Sequence, residues 1–409
     1  MIVVGAGAAG LVAAAFAARA GADVTLIERT RDGGRKILIS GGGRCNVLPS
    51  VAAPERFVTD SPVHLLRSML RAWPLHEQRA FFEADLGIPL ALEQESGKLF
   101  PRSDRARDVR DGLAQYAREC GAVCQFDTVV EDVLPSSSGF TVRTSRGDLT
   151  CSRLVLATGG LSVPATGSDG IGLRIARTLG HAIVEPYAAL TPLLASPPRA
   201  LNTSRPQALN ASSPHESLSG ISLTVRLRSK AGSSPIETHG GFLFTHRGYS
   251  GPGVLDISHV TSRGDAPSIR VQWAPLGAGE WEATLSAGDS ISATLGRHLP
   301  SRLVDQLMRE SGVPLDRRIS SLRREERIVL VEALTAYELP WSGNEGFKKA
   351  EVTGGGVMLT EVHPKTLESR RVKGLYLCGE MLDAFGPIGG HNFSWAWATG
   401  RTAGRAAAG

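Results

Sequence analysis

The segment Gly5-Ala6-Gly7-Ala8-Ala9-Gly10 follows a short apolar run, Ile2-Val3-Val4, and precedes an alanine-rich stretch from Leu11 to Ala20. This order predicts a β-strand, a tight glycine turn and an α-helix that ends at Gly21. In such a turn the first glycine permits the bend, the second lets a ligand approach the backbone, and the third lets helix and strand pack closely. The free N–H groups at the start of the helix are suited to binding a pyrophosphate.

A second apolar run, Val24–Glu28, ends on an acidic residue. Dinucleotide-binding βαβ units place a carboxylate at this point, where it binds the ribose hydroxyls. Residues 1–28 therefore predict the first βαβ unit of a Rossmann-like domain that binds a dinucleotide. A glycine-rich turn without a ligand would show the same local pattern.

Three features favour FAD over a nicotinamide dinucleotide as the resident cofactor. The chain contains only one such fingerprint, so a nicotinamide enzyme would have to rely on this single site. Ala157-Thr158-Gly159-Gly160 ends a strand-like run and is similar to a second cofactor contact in two-dinucleotide-type flavoproteins. Gly379-Glu380 and then Gly389-Gly390-His391-Asn392 precede a final helix, whose N-terminus would stabilise negative charge on a reduced flavin.

Two further glycine-rich stretches predict close approach of the backbone to a ligand. One runs from Lys36 through Ser40-Gly41-Gly42-Gly43-Arg44-Cys45-Asn46, and the other is Thr353-Gly354-Gly355-Gly356. A tight turn without a ligand is the alternative interpretation of each.

The chain has 409 residues and a formal net charge of +5. This length favours two or more domains. The arginines alternate with acidic residues, as in solvated helix faces, and no nucleic-acid-binding motif is present, so no nucleic-acid partner is predicted. No apolar run is long enough to cross a bilayer, and we expect a cytoplasmic protein without a membrane partner. No pattern indicates an oligomeric state.

The cysteines predict neither a disulfide framework nor a metal site, because their number is odd and none form a C-x-x-C pair. They are Cys45, Cys120, Cys124, Cys151 and Cys378.

The pattern along the chain predicts an α/β domain interrupted by an insert. Residues 196–219, rich in Ser, Pro and Asn, are interpreted as a mobile loop, and alternating runs at 221–228 and 268–273 predict antiparallel strands. The expected division is an FAD-binding domain over 1–187 and 349–409, a β-rich insert over 188–295, and a helical part over 296–348. Helices are predicted at 64–73, 77–86, 104–120, 172–179, 301–311, 325–339 and 394–407.

These motifs together resemble those of the bacterial BaiN-type flavoproteins, a family of NAD(P)/FAD-dependent oxidoreductases. The resemblance rests on motifs that occur in the same order along nearly the whole chain. They are Gly5–Gly10, Lys36 with Ser40–Asn46, Phe100-Pro101, Ala157–Gly160, Gly241–His246 with Ser250-Gly-Pro252, Thr353–Gly356, and Leu377–Glu380 continuing to Asn392. The family fold that this resemblance implies is a Rossmann-like FAD-binding domain of the two-dinucleotide type with an inserted β-barrel-like and helical domain.

The resemblance also implies which residues bind FAD, without a covalent bond. The pyrophosphate and ribose would contact Gly5, Gly7, Ala9, Gly10, Glu28 and Arg29. The flavin side would contact Lys36, Ser40, Gly42, Gly43, Arg44, Cys45 and Asn46, and the adenine would meet the backbone of Val130. The remaining contacts would come from Ala157, Thr158, Gly159, Gly379, Glu380, Gly390, His391 and Asn392. Relatives often carry Tyr at the position of His391, so the family role of that position is not transferred.

The implied activity is transfer of hydride from NAD(P)H, through FAD, to an activated C=C bond of a small organic substrate. Four residues are candidates for the chemistry: Arg44 to polarise a carbonyl group, and Cys45, His246 or His391 as a proton donor or substrate contact. Arg44 could instead pair with FAD phosphates, and Cys45 could be a packed thiol. An oxidase that uses O₂ on an amine or alcohol, and a non-catalytic flavin-binding protein, are the alternatives.

Overall fold

The computed structural model describes residues 1–196, 215–231, 234–263, 268–288 and 290–409. The chain divides into two compact units: unit 1 is Met1–Ala188 with Ala350–Gly409, and unit 2 is Ala189–Lys349. Most of the stretch interpreted as a mobile loop, 197–214, lies outside the described residues.

The strands are numbered in chain order. They are β1 (Ile2–Val4), β2 (Thr25–Ile27), β3 (Leu48–Pro49), β4 (Leu90–Glu93), β5 (Lys98–Pro101), β6 (Val123–Gln125), β7 (Val130–Ser136), β8 (Gly139–Thr144), β9 (Leu149–Cys151), β10 (Leu154–Leu156), β11 (Ile183–Ala189), β12 (Leu193–Ala195), β13 (Ser222–Ala231), β14 (Ser234–Phe244), β15 (Gly248–Ser250), β16 (Arg270–Gln272), β17 (Tyr337–Glu338), β18 (Trp341–Asn344), β19 (Val352–Val357) and β20 (Leu375–Leu377).

The α-helices are numbered in the same way. They are α1 (Ala8–Arg19), α2 (Arg35–Ile39), α3 (Val63–Arg71), α4 (Leu75–Ala80), α5 (Ala106–Glu119), α6 (Ile171–Thr178), α7 (Pro252–Ile257), α8 (His259–Ser262), α9 (Ala278–Thr284), α10 (Ile291–Leu295), α11 (Ser301–Glu310), α12 (Arg324–Thr335) and α13 (His391–Ala408).

Unit 1 is built on a five-stranded parallel sheet in the order β20–β10–β1–β2–β6. Every residue of β1, β10 and β20 is buried, which explains why these strands are uniformly apolar rather than alternating. Because parallel strands end at one edge of the sheet, the segments that follow them meet there. These segments begin at Gly5, Glu28, Ala157 and Cys378, so the sheet brings four of the predicted cofactor segments to one edge.

Helices α1 and α13 pack against each other through glycines. A Cβ on Gly400 would overlap the carbonyl oxygen of Ala9, and one on Gly404 would overlap that of Ala13. Since Ala9 meets Gly400 and Ala13 meets Gly404, the two helices run parallel at close range. Two small antiparallel sheets, β3–β5–β4 and β7–β8–β9, and the pair β11–β19 complete unit 1.

Unit 2 contains a seven-stranded antiparallel sheet in the order β17–β16–β13–β14–β15–β12–β18. Its two edge strands, β17 and β18, are joined in the chain by only Leu339 and Pro340. The sheet must therefore curl until its edges nearly meet, as in a β-barrel. Leu307 of α11 and Leu330 of α12 share a hydrophobic core with Phe242 of β14 and with Trp273, which follows β16.

The predicted fold class, a Rossmann-like α/β domain with an inserted β-rich and helical domain, is confirmed. Several predicted helix boundaries are wrong. The helix predicted to begin at Leu11 begins at Ala8, and the helix predicted over 77–86 is α4 followed by a π-helical turn, Phe81–Asp85. The helix predicted to end at Leu339 ends at Thr335, because Tyr337–Glu338 pairs with β16. The helix predicted to begin at Ser394 begins at His391, directly after Gly390, whose φ of 91° ends the preceding turn. No helix in the described part of the chain is long and apolar enough to span a membrane.

Candidate dinucleotide site

The glycine turn between β1 and α1 has two kinds of glycine. Gly5 has φ +98°, and a Cβ there would lie 2.6 Å from the carbonyl oxygen of Ala157, while a Cβ on Gly10 would overlap the carbonyl oxygen of Gly5. At Gly7 a Cβ would meet no described atom within 4 Å. Gly5 and Gly10 are thus required by the protein's own packing, and Gly7 borders open space at the start of α1.

The N-terminus of α1 has no side-chain cap. Its first N–H groups, beside the open space at Gly7, therefore suit the pyrophosphate of a dinucleotide such as FAD. The residues at the start of α1 therefore fit the pyrophosphate of FAD.

Glu28 holds the turn from the end of β2. Its Oε2 accepts a hydrogen bond from the N–H of Ala6 at 2.8 Å, and its Oε1 accepts from the N–H and hydroxyl of Thr30 at 2.8 and 2.7 Å. Each carboxylate oxygen has two acceptor sites, so this structural role leaves capacity for the predicted ribose contact. The neighbouring Arg29 forms an ion pair with Asp169.

A polar cluster joins Lys36 of α2 to Glu380, which follows β20. The Nζ of Lys36 lies 2.6 Å from Oε2 of Glu380 and 2.6 Å from Oγ of Ser162. Oε1 of Glu380 also accepts hydrogen bonds from Ser162 Oγ at 2.7 Å and from Thr353 Oγ1 at 3.0 Å. Burial opposes charge on Glu380, but the Lys36 ammonium and these donors hold the pKa of the carboxyl below its ordinary value.

Ser162 and Thr353 are functional candidates to which the sequence assigned no role, although Thr353 begins the predicted Thr353–Gly356 stretch. Thr353 Oγ1 accepts hydrogen bonds from the N–H groups of Leu161 at 2.7 Å and Ser162 at 3.0 Å. A Cβ on Gly160 would overlap this hydroxyl oxygen, which explains the second glycine of the Ala157–Gly160 turn. The signal for both residues was their position beside predicted glycine turns. Burial raises the pKa of nearby Glu351, although Lys36 opposes that shift.

The Ser40–Asn46 string forms an exposed glycine turn followed by a buried thiol. Gly41, Gly42 and Gly43 have φ values of +55°, +69° and +89°, so glycine is required by the backbone conformation as well as by any ligand. Cys45, also at positive φ, is fully buried, and burial raises the pKa of its thiol to about 12. The thiol has no exposed surface, and this burial favours the interpretation of Cys45 as a packed side chain.

Arg44 is held by two carboxylates. Its Nε lies 2.9 Å from Asp104 and its Nη1 lies 3.0 Å from Glu93, while the guanidinium carbon is 4.0 Å from the centre of the Phe100 ring. These contacts use two of the five N–H donors of the guanidinium group, so Arg44 is held in position and retains donors for a ligand.

The segment from Gly379 to Gly390 leads into the N-terminus of α13. Gly379, Gly389 and Gly390 all have positive φ, and α13 begins at His391 without a side-chain cap. The amide of Asn392 bonds to both backbone groups of Gly386, accepting from its N–H and donating to its carbonyl oxygen, each at 2.9 Å. His391 is 6% exposed and contacts Phe57 edge to face.

The other predicted residues have these positions. Val130 begins β7, beside Thr144 of β8. Ala157 donates its N–H to Val4, and Gly159 has φ +71°. His246 belongs to unit 2, where it is exposed in the turn between β14 and β15. Among the described residues there is no group of three or more His, Cys, Asp and Glu side chains that could hold a metal ion.

A family model described as the HI0933-like protein Rossmann domain matches residues 1–406. The chain belongs to this HI0933-like family. Members of the family are FAD-dependent oxidoreductases, so the family resemblance and the FAD assignment predicted from the sequence are confirmed.

Curated relatives of the HI0933-like chain match it over nearly its whole length. A ribosomal RNA dihydrouridine synthase of Escherichia coli (strain K12) is 33% identical over 405 residues, 97% of this chain and 95% of the relative. A 3-dehydro-bile acid delta(4,6)-reductase of Clostridium scindens is 31% identical over 429 residues, 99% and 98% of the two chains.

Solved structures with the same fold include a 3-ketosteroid-delta4-(5alpha)-dehydrogenase from Rhodococcus jostii RHA1, with a TM-score of 0.53 and 15% identity. That comparison covers 100% of this chain and 96% of the dehydrogenase. At this identity the likeness concerns the fold alone.

Proposed function

We propose that this protein is an FAD-dependent reductase that saturates a C=C bond conjugated to a carbonyl group, with NADH or NADPH as electron donor. The observation that carries the proposal is the agreement between two near full-length relatives. Dihydrouridine is uridine with its C5=C6 bond saturated, and that bond is conjugated to the C4 carbonyl. A delta(4,6)-reductase of a 3-oxo steroid likewise acts on double bonds conjugated to a carbonyl group.

Residues of unit 1 support this chemistry because they would bind the cofactor and stabilise negative charge. The α1 N-terminus and Gly7 would hold the pyrophosphate, and Glu28 the ribose. Bound FAD would supply the hydride that adds to the β-carbon of the alkene. The α13 N-terminus, which has no side-chain cap, supplies free N–H groups and a partial positive charge where negative charge would be stabilised.

The first candidate substrate is a uracil base in ribosomal RNA, favoured by the two dihydrouridine synthases that are each 33% identical to this chain. A cytoplasmic location belongs to the same proposal, since ribosomal RNA is modified there. The sequence alone predicted a small organic substrate and no nucleic-acid partner, and the bile-acid relative keeps a small enone as the second candidate.

Anaerobic reduction of the purified holoenzyme tests the reaction class. The flavin should bleach with NADH or NADPH and recover its colour with ribosomal RNA from a strain that lacks the gene, or with a 3-oxo-Δ4,6 steroid. Mass spectrometry should then show the gain of two hydrogen atoms in uridine or in the steroid. The proposal fails if neither nicotinamide bleaches the flavin while an amine or alcohol in air yields peroxide, as the oxidase alternative requires. A flavin that is inert to every donor and acceptor would favour the non-catalytic alternative.

A further inference from the structure

A pocket of about 640 Å³ opens in unit 1 beside β3, α3 and α4. This volume is typical of pockets that bind small organic molecules. Its walls are mainly apolar and include Phe57, Leu70, Trp73, Leu75 and Leu99. Lys36, Ser162, Thr353 and Glu380 are not among its lining residues, so the pocket is separate from the polar cluster described above.

Three buried polar side chains, those of Gln78, His391 and Ser394, line this apolar pocket. His391 is 94% buried, and neither of its ring nitrogens has a hydrogen-bond partner among the residues that the structure describes. Gln78 is 1% exposed, and its Oε1 has no partner within the described chain but also no surface that a ligand in the pocket could contact. A ligand would therefore gain affinity through a hydrogen bond to a ring nitrogen of His391.

The imidazole of His391 is neutral near pH 7. Burial, assisted by the charge of Arg56, lowers its pKa to about 4. A neutral imidazole presents one N–H donor and one acceptor nitrogen. Because the two ring nitrogens point in different directions, a neutral ligand group in the pocket would meet one of them, either as an acceptor or as a donor.

The opening of the pocket carries positive charge that is not neutralised. Arg67 and Arg71 are exposed, lie four residues apart on α3 and both line the pocket. Neither forms an ion pair with a carboxylate in the described residues, whereas Arg79, also at the pocket, is paired with Glu83 at 3.0 Å. Two adjacent unpaired guanidinium groups are suited to a phosphate.

We propose that this pocket binds a nucleotide, with the phosphate at Arg67 and Arg71 and the base in the apolar interior against His391. A nucleobase is a planar ring that buries well against apolar walls such as Phe57, and its edge carries donors and acceptors that can meet an imidazole nitrogen. The nucleotide has two possible sources, a unit of RNA or one half of the nicotinamide donor, and both present the same chemistry. Both sources rest on the proposed function, whereas binding itself requires no turnover and can be tested separately.

Calorimetric titration of the holoenzyme with UMP tests the site, with uridine and inorganic phosphate as separate probes of base and charge. UMP should bind more tightly than either probe. The double variant Arg67→Ala/Arg71→Ala should bind UMP about tenfold to a hundredfold more weakly. The variant Arg102→Ala/Arg107→Ala is the matched control, because it removes the same charge from exposed arginines outside the pocket. Ala52→Trp, at an exposed lining residue, should weaken binding by filling the pocket.

Competition distinguishes the sources. Displacement of UMP by NADPH assigns the site to the donor, and displacement by a short uridine-containing RNA but not by NADPH assigns it to RNA. The proposal is overturned if UMP binds no better than inorganic phosphate, or if the control variant weakens binding as much as the Arg67/Arg71 variant. If the natural protein binds UMP as expected but shows no reductase activity, the result contradicts only the proposed function.

Discussion

Lys36 and Glu380 lie 344 positions apart in the chain, yet the Nζ of one is 2.6 Å from the Oε2 of the other. The two side chains are 24% and 20% exposed, so the pair is largely removed from water. It fastens α2 to the segment after β20, and both segments were predicted to contact the flavin.

Replacement of Lys36 by methionine should destabilise unit 1 by about 2 kcal/mol, because Glu380 would keep a buried charge without its partner. FAD should dissociate more readily from the variant as a result. Urea unfolding and the flavin content after gel filtration measure the two effects. Arg35→Met is the control: its pair with Asp32 is 35% and 36% exposed, and its loss should cost less than about 1 kcal/mol. Equal losses in the two variants would show that the Lys36 pair is energetically an ordinary surface pair.

Alanine substitutions at the two kinds of glycine should separate folding from cofactor binding. Gly7→Ala should leave the apoprotein as stable as the natural chain, because Gly7 has extended backbone angles and open space at its Cβ position. Its affinity for FAD should nevertheless fall about tenfold or more, since the methyl group would occupy space needed by the pyrophosphate. Gly10→Ala should instead impair folding. Normal FAD affinity in Gly7→Ala would contradict the placement of the pyrophosphate at this turn.

The Thr353 hydroxyl should be essential for the stability of unit 1, although the residue has no predicted catalytic role. Thr353→Val keeps the shape but leaves the N–H groups of Leu161 and Ser162 without an acceptor, at a cost of about 2–4 kcal/mol. Thr353→Ser retains the hydroxyl and should restore most of that stability. Thermal unfolding of both variants is the measurement, and similar losses in the two would show that packing of the methyl group matters more than the hydrogen bonds.

Asp383 should give unit 1 a pH-dependent stability. Burial, reinforced by nearby Asp60, raises the pKa of its carboxyl from 3.8 to about 6, although Asp60 N–H, Ser61 and Thr59 donate hydrogen bonds to it. A pKa that is higher in the folded state stabilises the fold below about pH 4, and this stabilisation is lost as the pH rises through about 6. The loss is up to about 3 kcal/mol.

Unfolding of the natural protein and of Asp383→Asn by urea from pH 4 to pH 7 checks this expectation. The stability of the natural protein relative to the variant should fall between pH 4 and 6 and then level off. Asp148→Asn, at an exposed position, is the control. A constant difference between the natural protein and Asp383→Asn would show that Asp383 has no such effect.

Local patterns were sufficient to predict the glycine turn, the parallel strands and the inserted antiparallel sheet. Gly5 to Gly10 is a contiguous signal, and uniformly apolar β1 and β10 follow from burial on both faces. Strands as short as Tyr337–Glu338 carry no such signal, because pairing with β16 rather than local preference determines them.

The partners of site residues could not be predicted in the same way. The charge of Arg44 is evident from the sequence, but its contacts with Glu93 and Asp104 depend on how β4 and the segment after β5 fold back on the glycine turn. The role of Thr353 likewise depends on a segment almost two hundred residues away, with |i−j| of 192 to Leu161.

The parallel contact of α1 with α13 has a consequence for biosynthesis. Ala9 and Ala13 can meet Gly400 and Gly404 only after residues 391–408 have been synthesised, whereas unit 2 is one continuous stretch, Ala189–Lys349, that can fold earlier. During synthesis, one side of α1 would therefore remain uncovered while unit 2 folds. One side of the dinucleotide site is therefore completed only when α13 packs on α1, after the whole of unit 2 has been synthesised.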